Sequence, residues 1–187
     1  MLFQSDREQA KQIYPIRLKE NLQLNTYSIS KSFKLNANEY VLIGKSNSEN
    51  DENLGYRMLY IAMDSSAERF QKKYISKPKE EAYVYNPYFF EFLDGEKFII
   101  VEEGYEYMAG IDIYRLRNSK IDFLGNISIS GPNRDSVIGH IKIEKLNDEY
   151  KILFSGQVEY RVSSDNIING STLLVSIIED ELKIDLK

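Results

Sequence analysis

Four carboxylates stand close together in the sequence around the segment from Gly104 to Gly110. They are Glu102, Glu103, Glu106 and Asp112. Two carboxylates that flank a substrate can supply the acid and the base of a glycosidase-like hydrolase. Such chemistry requires that a pair of them be buried together with raised pKa values. The alternative interpretation is that they are solvated charges of a loop and of edge strands.

The same part of the chain combines acidic residues with tyrosines. From Glu80 to Asp112 nine acidic residues stand against one base, Lys97, a local charge of −8, whereas the rest of the chain has 23 bases and 20 acids, or +3. Acids would steer a basic protein towards this surface, and tyrosines would anchor it. The residues predicted to bind this partner are Tyr83, Tyr85, Tyr88, Glu102, Glu103, Tyr105, Glu106 and Tyr107. The alternative is that the tyrosines form the core and rim of a sheet whose edges the acids keep soluble.

Other reactive groups are scarce. The sequence has no cysteine, and His140 is its only histidine, which excludes thiolate chemistry and any site that needs two histidines. His140 stands at the mouth of a predicted strand and is interpreted as a surface or strand-end residue. The oxygen-rich segments 46–55 and 165–171 lack EF-hand spacing, so they are interpreted as polar loops, with calcium binding as the alternative. We therefore predict no cofactor and no metal.

The segments that would position these residues have the composition of β-strands. Runs of β-branched and aromatic residues alternate with turn residues, and they predict four hairpins in the C-terminal hundred residues. The predicted turns are Asp94-Gly95, Asn118-Ser119, Asn147-Asp148 and Glu179-Asp180. Asp94-Gly95 favours a two-residue type I′ turn. Three further strands, Tyr27–Leu35, Tyr40–Gly44 and Tyr56–Met63, bring the total to about eleven.

Two patterns indicate how these strands are layered. Ile141 and Ile143 alternate with charged residues, as expected of a strand with one wet face. The run from Phe98 to Val101 is apolar on both faces, so it should be a central strand between two layers. The fold class predicted from both patterns is all-β with minor α, an antiparallel β-sandwich or barrel.

Capping signals predict two short helices. Ser5 with Glu8 would begin one that ends before Pro15, and Ser65 with Glu68 would begin another that reaches Ile75. Residues 1–187 are expected to form a single β-rich domain, in which residues 1–22 are a polar N-terminal leader. If Met1 is the native start we expect a cytoplasmic protein, and if an export signal was removed, a periplasmic or secreted one.

The leading functional hypothesis is a non-catalytic protein-binding module. Its most concrete form is an inhibitor or immunity-type protein whose acidic, tyrosine-rich face covers a basic partner. The negative charge disfavours nucleic acid, and no apolar run is long enough for membrane insertion. The alternatives are a secreted or surface β-domain that binds a small ligand or glycan, and a carboxylate-based hydrolase.

Overall fold

Antiparallel β-strands make up nearly all of the regular structure. The computed structural model describes residues 7–48, 54–64, 66, 69–106, 109–130, 137–146, 149–163, 166–178 and 181–185. Within these residues fifteen strands form two sheets, and the 3₁₀ turn Val137–His140 is the one helical element. No helix in this part of the chain is long and apolar enough to cross a membrane. The prediction of an antiparallel all-β fold is confirmed.

The first strands are β1 (Arg7–Gln9), β2 (Lys11–Ile13), β3 (Ile16–Arg17), β4 (Tyr27–Lys34), β5 (Glu39–Ser46), β6 (Tyr56–Asp64) and β7 (Arg69–Ile75). They are followed by β8 (Val84–Glu91), β9 (Lys97–Gly104), β10 (Ala109–Arg117), β11 (Lys120–Ser130), β12 (Ile141–Leu146), β13 (Glu149–Ser163), β14 (Asn166–Ile178) and β15 (Glu181–Asp185). The smaller sheet has the order β3-β4-β5-β6-β7. The larger sheet has the order β1-β12-β13-β11-β10-β9-β8-β2. Outside this order, β14 also pairs with β13, and β15 pairs with β14.

A single N-terminal segment spans the two ends of the larger sheet. Strand β1 pairs with β12, and β2 pairs with β8. Ala10 joins the two strands, is buried, and donates its N–H to the Ile143 carbonyl at 2.9 Å. Among the described residues no strand pairing joins β1 to β2, which are the two ends of this order, so the sheet does not close into a hydrogen-bonded barrel. The barrel alternative is therefore wrong.

Strand β9 lies between two apolar layers. The side chains of residues 98–101 are all fully buried. Phe98 and Ile100 belong to a cluster on one face of the larger sheet, whereas Ile99 and Val101 belong to a cluster on the other face that includes β5 and β6 of the smaller sheet. Because successive strand residues point to opposite faces, a continuous apolar run is the pattern of such a strand. The predicted central position of this strand is confirmed.

The predicted hairpins form, but the turn at Asp94-Gly95 is not of the predicted type. Gly95 donates to the Phe92 carbonyl at 3.0 Å, and Phe92 donates to Glu96 at 2.9 Å. Only Gly95 has a positive φ, 84°, so the loop has three residues and ends in a glycine bulge rather than a type I′ turn. Asn118 and Ser119, with φ of 50° and 57°, form the two-residue type I′ turn. Strand pairing also confirms the hairpins β12–β13 and β14–β15, whose turns lie outside the described residues.

Both predicted helices are wrong. Arg7–Gln9 and Lys11–Ile13 are strands, because the ends of the larger sheet offer their backbone groups partners that an isolated short helix lacks. Arg69–Ile75 is also a strand and pairs with β6. A bulge at Lys73 in that pairing directs Phe70 and Tyr74 into different apolar clusters, although their spacing would place both on one face of a helix.

Candidate functional site

The eight residues predicted to bind a partner do not lie on one exposed face. Tyr85 and Glu103 are buried on the face of the larger sheet that packs against the smaller sheet. Tyr88 packs against the apolar cluster of the opposite face and donates to Glu102 at 3.2 Å. The alternation of β8 and β9 thus divides the set between two faces. Tyr107 lies outside the described residues.

The central feature of the inner face is a buried pair of carboxylates bridged by a lysine. Glu103 and Asp112 are 2% and 0% exposed. The Nζ atom of Lys79 lies 2.7 Å from Glu103 Oε1 and 2.8 Å from Asp112 Oδ1. Asp112 is a diagonal neighbour of Glu103, because Gly110 pairs with Glu103 and Asp112 pairs with Val101. Adjacent strands therefore bring together two of the four carboxylates that suggested hydrolase chemistry.

Neutral donors surround the remaining carboxylate oxygens. Asp112 Oδ2 accepts hydrogen bonds from Tyr114 at 3.0 Å and from Tyr85 at 3.2 Å. Glu103 Oε2 accepts one from Tyr105 at 2.7 Å, and Asn126 Nδ2 donates to Asp112 Oδ1 at 2.8 Å. We call these seven residues the Lys79 cluster: Lys79, Tyr85, Glu103, Tyr105, Asp112, Tyr114 and Asn126. Each of the four carboxylate oxygens in the cluster already has at least one donor.

The connection between β7 and β8 is held so that Lys79 reaches these carboxylates. The backbones of Tyr56 and Lys79 exchange two hydrogen bonds, of 2.9 and 3.2 Å. Gly55, at φ 97°, passes so close to this connection that a Cβ atom would lie 2.3 Å from the Lys79 carbonyl oxygen. The Tyr56 ring also stacks on Tyr85, with ring centres 6.2 Å apart. The smaller sheet thus holds the Lys79 backbone while the larger sheet binds its ammonium group.

Burial and charge shift the titration of the cluster. Burial, together with the nearby Asp112 carboxylate, raises the pKa of Glu103 to about 7. Although burial disfavours its charged form, hydrogen bonds to Asp112 and Glu103 raise the pKa of Lys79 above its usual value. Burial likewise raises the pKa of Tyr85, Tyr105 and Tyr114. Near pH 7 Glu103 is therefore about half protonated, beside the Lys79 ammonium.

An exposed group of acids and tyrosines lies above the cluster, where β8 begins and β9 ends. Tyr83 is 60% exposed, and its hydroxyl donates to the backbone carbonyl of Tyr105. Glu80, Glu81 and Glu106 are also exposed. Glu81 is close enough to the Tyr105 hydroxyl to raise its pKa further. We call this surface the acidic end: Glu80, Glu81, Tyr83, Tyr105 and Glu106. It retains three of the eight predicted residues.

Tertiary contacts neutralise another part of the acidic segment. Glu96 is buried and accepts a hydrogen bond from the Tyr150 hydroxyl. Lys145 Nζ lies 3.3 Å from Glu96 and 2.8 Å from Asp94, while Arg115 Nε is 3.8 Å from Glu96. Both bases come from outside the segment Glu80 to Asp112, whose local charge is −8. That charge is therefore partly compensated inside the fold, and the acidic end carries its exposed remainder.

The other candidates from the sequence are the two oxygen-rich segments and His140. In segment 165–171, residues 166–171 belong to β14, which pairs with β13, so this part of the segment is a strand and not a loop. Residues 49–53 of the other oxygen-rich segment lie outside the described residues. Among the described residues, no group of three or more His, Asp or Glu side chains is placed to hold a metal ion. His140 ends the 3₁₀ turn directly before β12, consistent with the expected strand mouth.

A groove of about 570 Å³ lies between the N-terminal segment and the turn after β8. Its walls are residues 7–9, Lys11 and Ile13 on one side, and Glu91, Phe92, Leu93 and Gly95 on the other. Leu93 is 86% exposed, and its backbone N–H donates to the Glu8 carboxylate. The groove combines apolar surface with charges of both signs and falls in the size range of small-ligand sites.

The sequence interpretation missed Lys79, Tyr114 and Asn126. Tyr114 could have been found, because it stands two residues after Asp112 and therefore shares its face of β10. A buried aspartate also requires a nearby cation, but no local signal identifies Lys79 as that cation. Comparison of the chain with protein-family models, curated proteins and solved structures finds no match to any of them.

Proposed function

We propose that this chain is a non-catalytic protein-binding module whose two packed sheets form a β-sandwich, and that it binds a basic partner protein at the acidic end. The observation that supports this proposal is the exposed Tyr83 ring, whose hydroxyl donates to the Tyr105 carbonyl and which follows the exposed acids Glu80 and Glu81 in the chain. Three exposed acids attract a cationic surface, and a tyrosine loses little conformational freedom when it is covered. An inhibitor or immunity-type protein is the concrete form of this proposal.

The Lys79 cluster supports the acidic end by making it rigid. Tyr105 is held from below by its hydrogen bond to Glu103 and from the side by the Tyr83 hydroxyl. A surface that is already ordered loses less entropy when a partner binds than a flexible loop does. The buried ion network therefore contributes to affinity without touching the partner.

The bonding of the two buried carboxylates supports a non-catalytic assignment. A glycosidase acid and base must exchange protons with a substrate or water placed between them. Here the Lys79 ammonium occupies that position, and the other oxygens accept hydrogen bonds from Tyr85, Tyr105 and Tyr114. A carboxylate-based hydrolase is therefore not the function that we propose.

Matched charge reversals test the proposed surface. Glu81→Lys with Glu106→Lys changes the acidic end by four charge units, and Glu20→Lys with Glu149→Lys makes the same change at exposed positions elsewhere. Immobilised protein would be used to isolate a basic partner, whose affinity for each variant is then measured by calorimetry. We expect the first pair to weaken binding at least tenfold and the second to have little effect. Equal weakening by both pairs would reject the acidic end as the binding surface.

The Tyr83 side chain provides an independent test. Tyr83→Ser leaves the net charge unchanged and removes the exposed ring together with its hydrogen bond to the Tyr105 carbonyl. If the ring is an anchor, affinity for the isolated partner should fall by roughly tenfold or more. An unchanged affinity would mean that charge alone attracts the partner.

Binding of a small ligand or glycan is the second candidate function, and the groove beside Leu93 is the observation that favours it. The experiment is a ligand-detected NMR screen of small organic molecules and oligosaccharides, repeated on Leu93→Asp. Ligands that bind the parent protein and not this variant would support the groove. Binding that is equal in both proteins would exclude it.

A further inference from the structure

Beneath the acidic end, two buried carboxyl groups share one ammonium. The groups that face Glu103 and Asp112 are Lys79 on the β7–β8 connection, Tyr85 on β8, Tyr105 at the end of β9, Tyr114 on β10, and Asn126 on β11. The smaller sheet adds the Tyr56 ring against Tyr85, and β7 adds the Tyr74 ring against Tyr114. Lys79 is the one cation among them. If both carboxyl groups ionise, the cluster carries a buried negative charge.

Tyr105 connects this cluster to the surface. Its hydroxyl donates to Glu103 at 2.7 Å, while its backbone carbonyl accepts the hydroxyl of the exposed Tyr83. Glu81, on the acidic end, acts electrostatically on the same Tyr105 hydroxyl. A cation that pairs with Glu81 therefore also acts on the hydroxyl that is hydrogen-bonded to Glu103.

We propose that binding of a cationic partner at the acidic end expels a proton from Glu103, so that the partner binds more tightly as pH rises. This inference rests on the proposed function, because it concerns the regulation of the same surface. The partner's positive charge stabilises the ionised pair, and by linkage the ionised pair stabilises the bound partner. The buried cluster then makes affinity depend on pH in the neutral range.

The size of the pH effect follows from the Coulomb attraction between the partner's cation and the ionised Glu103 carboxylate. One added cation lowers the pKa of Glu103, which is about 7 in the free protein, by about one unit. Binding at pH 7 then releases on the order of 0.4 proton, and affinity rises about fivefold between pH 6 and pH 8. Neutral ligands at the same surface should release none.

The test uses a ten-residue lysine peptide as the cationic probe, with the full chain. Calorimetry at pH 7 in two buffers of different ionisation enthalpy counts the protons released on binding. We expect the parent protein to release about 0.4 proton and Glu103→Gln to release essentially none while still binding. Glu149→Gln removes an exposed carboxylate on β13 and should behave like the parent.

The outcomes separate the proton linkage from the proposed binding surface. Binding without proton release by the parent protein would overturn the linkage and leave the proposed surface intact. Equal release by the parent and Glu103→Gln would also overturn it, because another group must then titrate. If the double variant Glu81→Lys, Glu106→Lys binds the peptide as tightly as the parent, the acidic end is not the binding surface. Circular dichroism of each variant confirms that it is folded before binding is measured.

Discussion

Replacing Glu103 by glutamine should make the protein more stable than the parent, by a margin that grows as pH rises. Glu103 has a pKa of about 7 in the fold against 4.5 for an ordinary glutamate, so the folded state binds its proton more tightly than the unfolded state does. Stability that is present at pH 4.5 is therefore lost as pH rises to 7 and above. The difference in pKa corresponds to about 3 kcal/mol. Glutamine imitates the protonated acid, keeps the hydrogen bond from Lys79, and cannot ionise.

Urea unfolding followed by circular dichroism at pH 5, 6, 7 and 8 measures this effect. We expect Glu103→Gln to have nearly the parent's free energy of unfolding at pH 5 and to exceed it by about 3 kcal/mol at pH 8. The control is Glu102→Gln, which removes a carboxylate from the next residue of β9, on the opposite face and partly exposed. A difference between the parent and Glu103→Gln that stays constant with pH would refute the raised pKa of Glu103. Destabilisation at every pH would show that Glu103 serves as the ionised partner of Lys79.

Three further predictions concern stability and are measured by the same unfolding experiment at pH 7. Gly55→Ala should cost about 2–4 kcal/mol, because its Cβ would strike the Lys79 backbone, whereas Gly95→Ala has open space and should cost about 1 kcal/mol for its positive φ. Equal losses would show that the Gly55 contact is not tight. Phe98→Ala should cost about 3–5 kcal/mol and the half-exposed Phe123→Ala about 1 kcal/mol or less, and similar values would contradict the central position of β9. Lys79→Met should cost about 3–5 kcal/mol, because it leaves a buried carboxylate without its cation, and a neutral result would mean that the ion network contributes nothing.

Local patterns predicted the strands that carry continuous or alternating apolar residues. The run from Phe98 to Val101 was assigned to the centre of a sheet because no other environment covers both faces of a strand. The turns at Asp94-Gly95 and Asn118-Ser119 lie where the patterns predict them, whereas the conformation of Asp94-Gly95 differs from the prediction. A glycine with positive φ serves either a type I′ turn or a three-residue loop, and the pairing of β8 with β9 selects the second.

Patterns failed where the neighbour across the sheet determined the outcome. Ser5 with Glu8 is a capping signal that predicts a helix, yet residues 7–9 and 11–13 pair with β12 and β8, which lie far away in the sequence. Arg69–Ile75 is a strand because β6 offers it hydrogen bonds and two apolar clusters. Helices as short as those predicted gain too little from local bonds to compete with such pairing.

The candidate site, like the fold, is only partly predictable from the sequence. The sequence by itself determined that acids and tyrosines concentrate between Glu80 and Asp112, and that thiolate chemistry is impossible. Only the tertiary structure decided which of the acids are exposed. Whether a carboxylate is buried depends on whether a distant base reaches it, and Lys79, Arg115 and Lys145 do so from three different connections or strands. Charge adds up along a sequence, but its neutralisation depends on distances that exist only after the chain has folded.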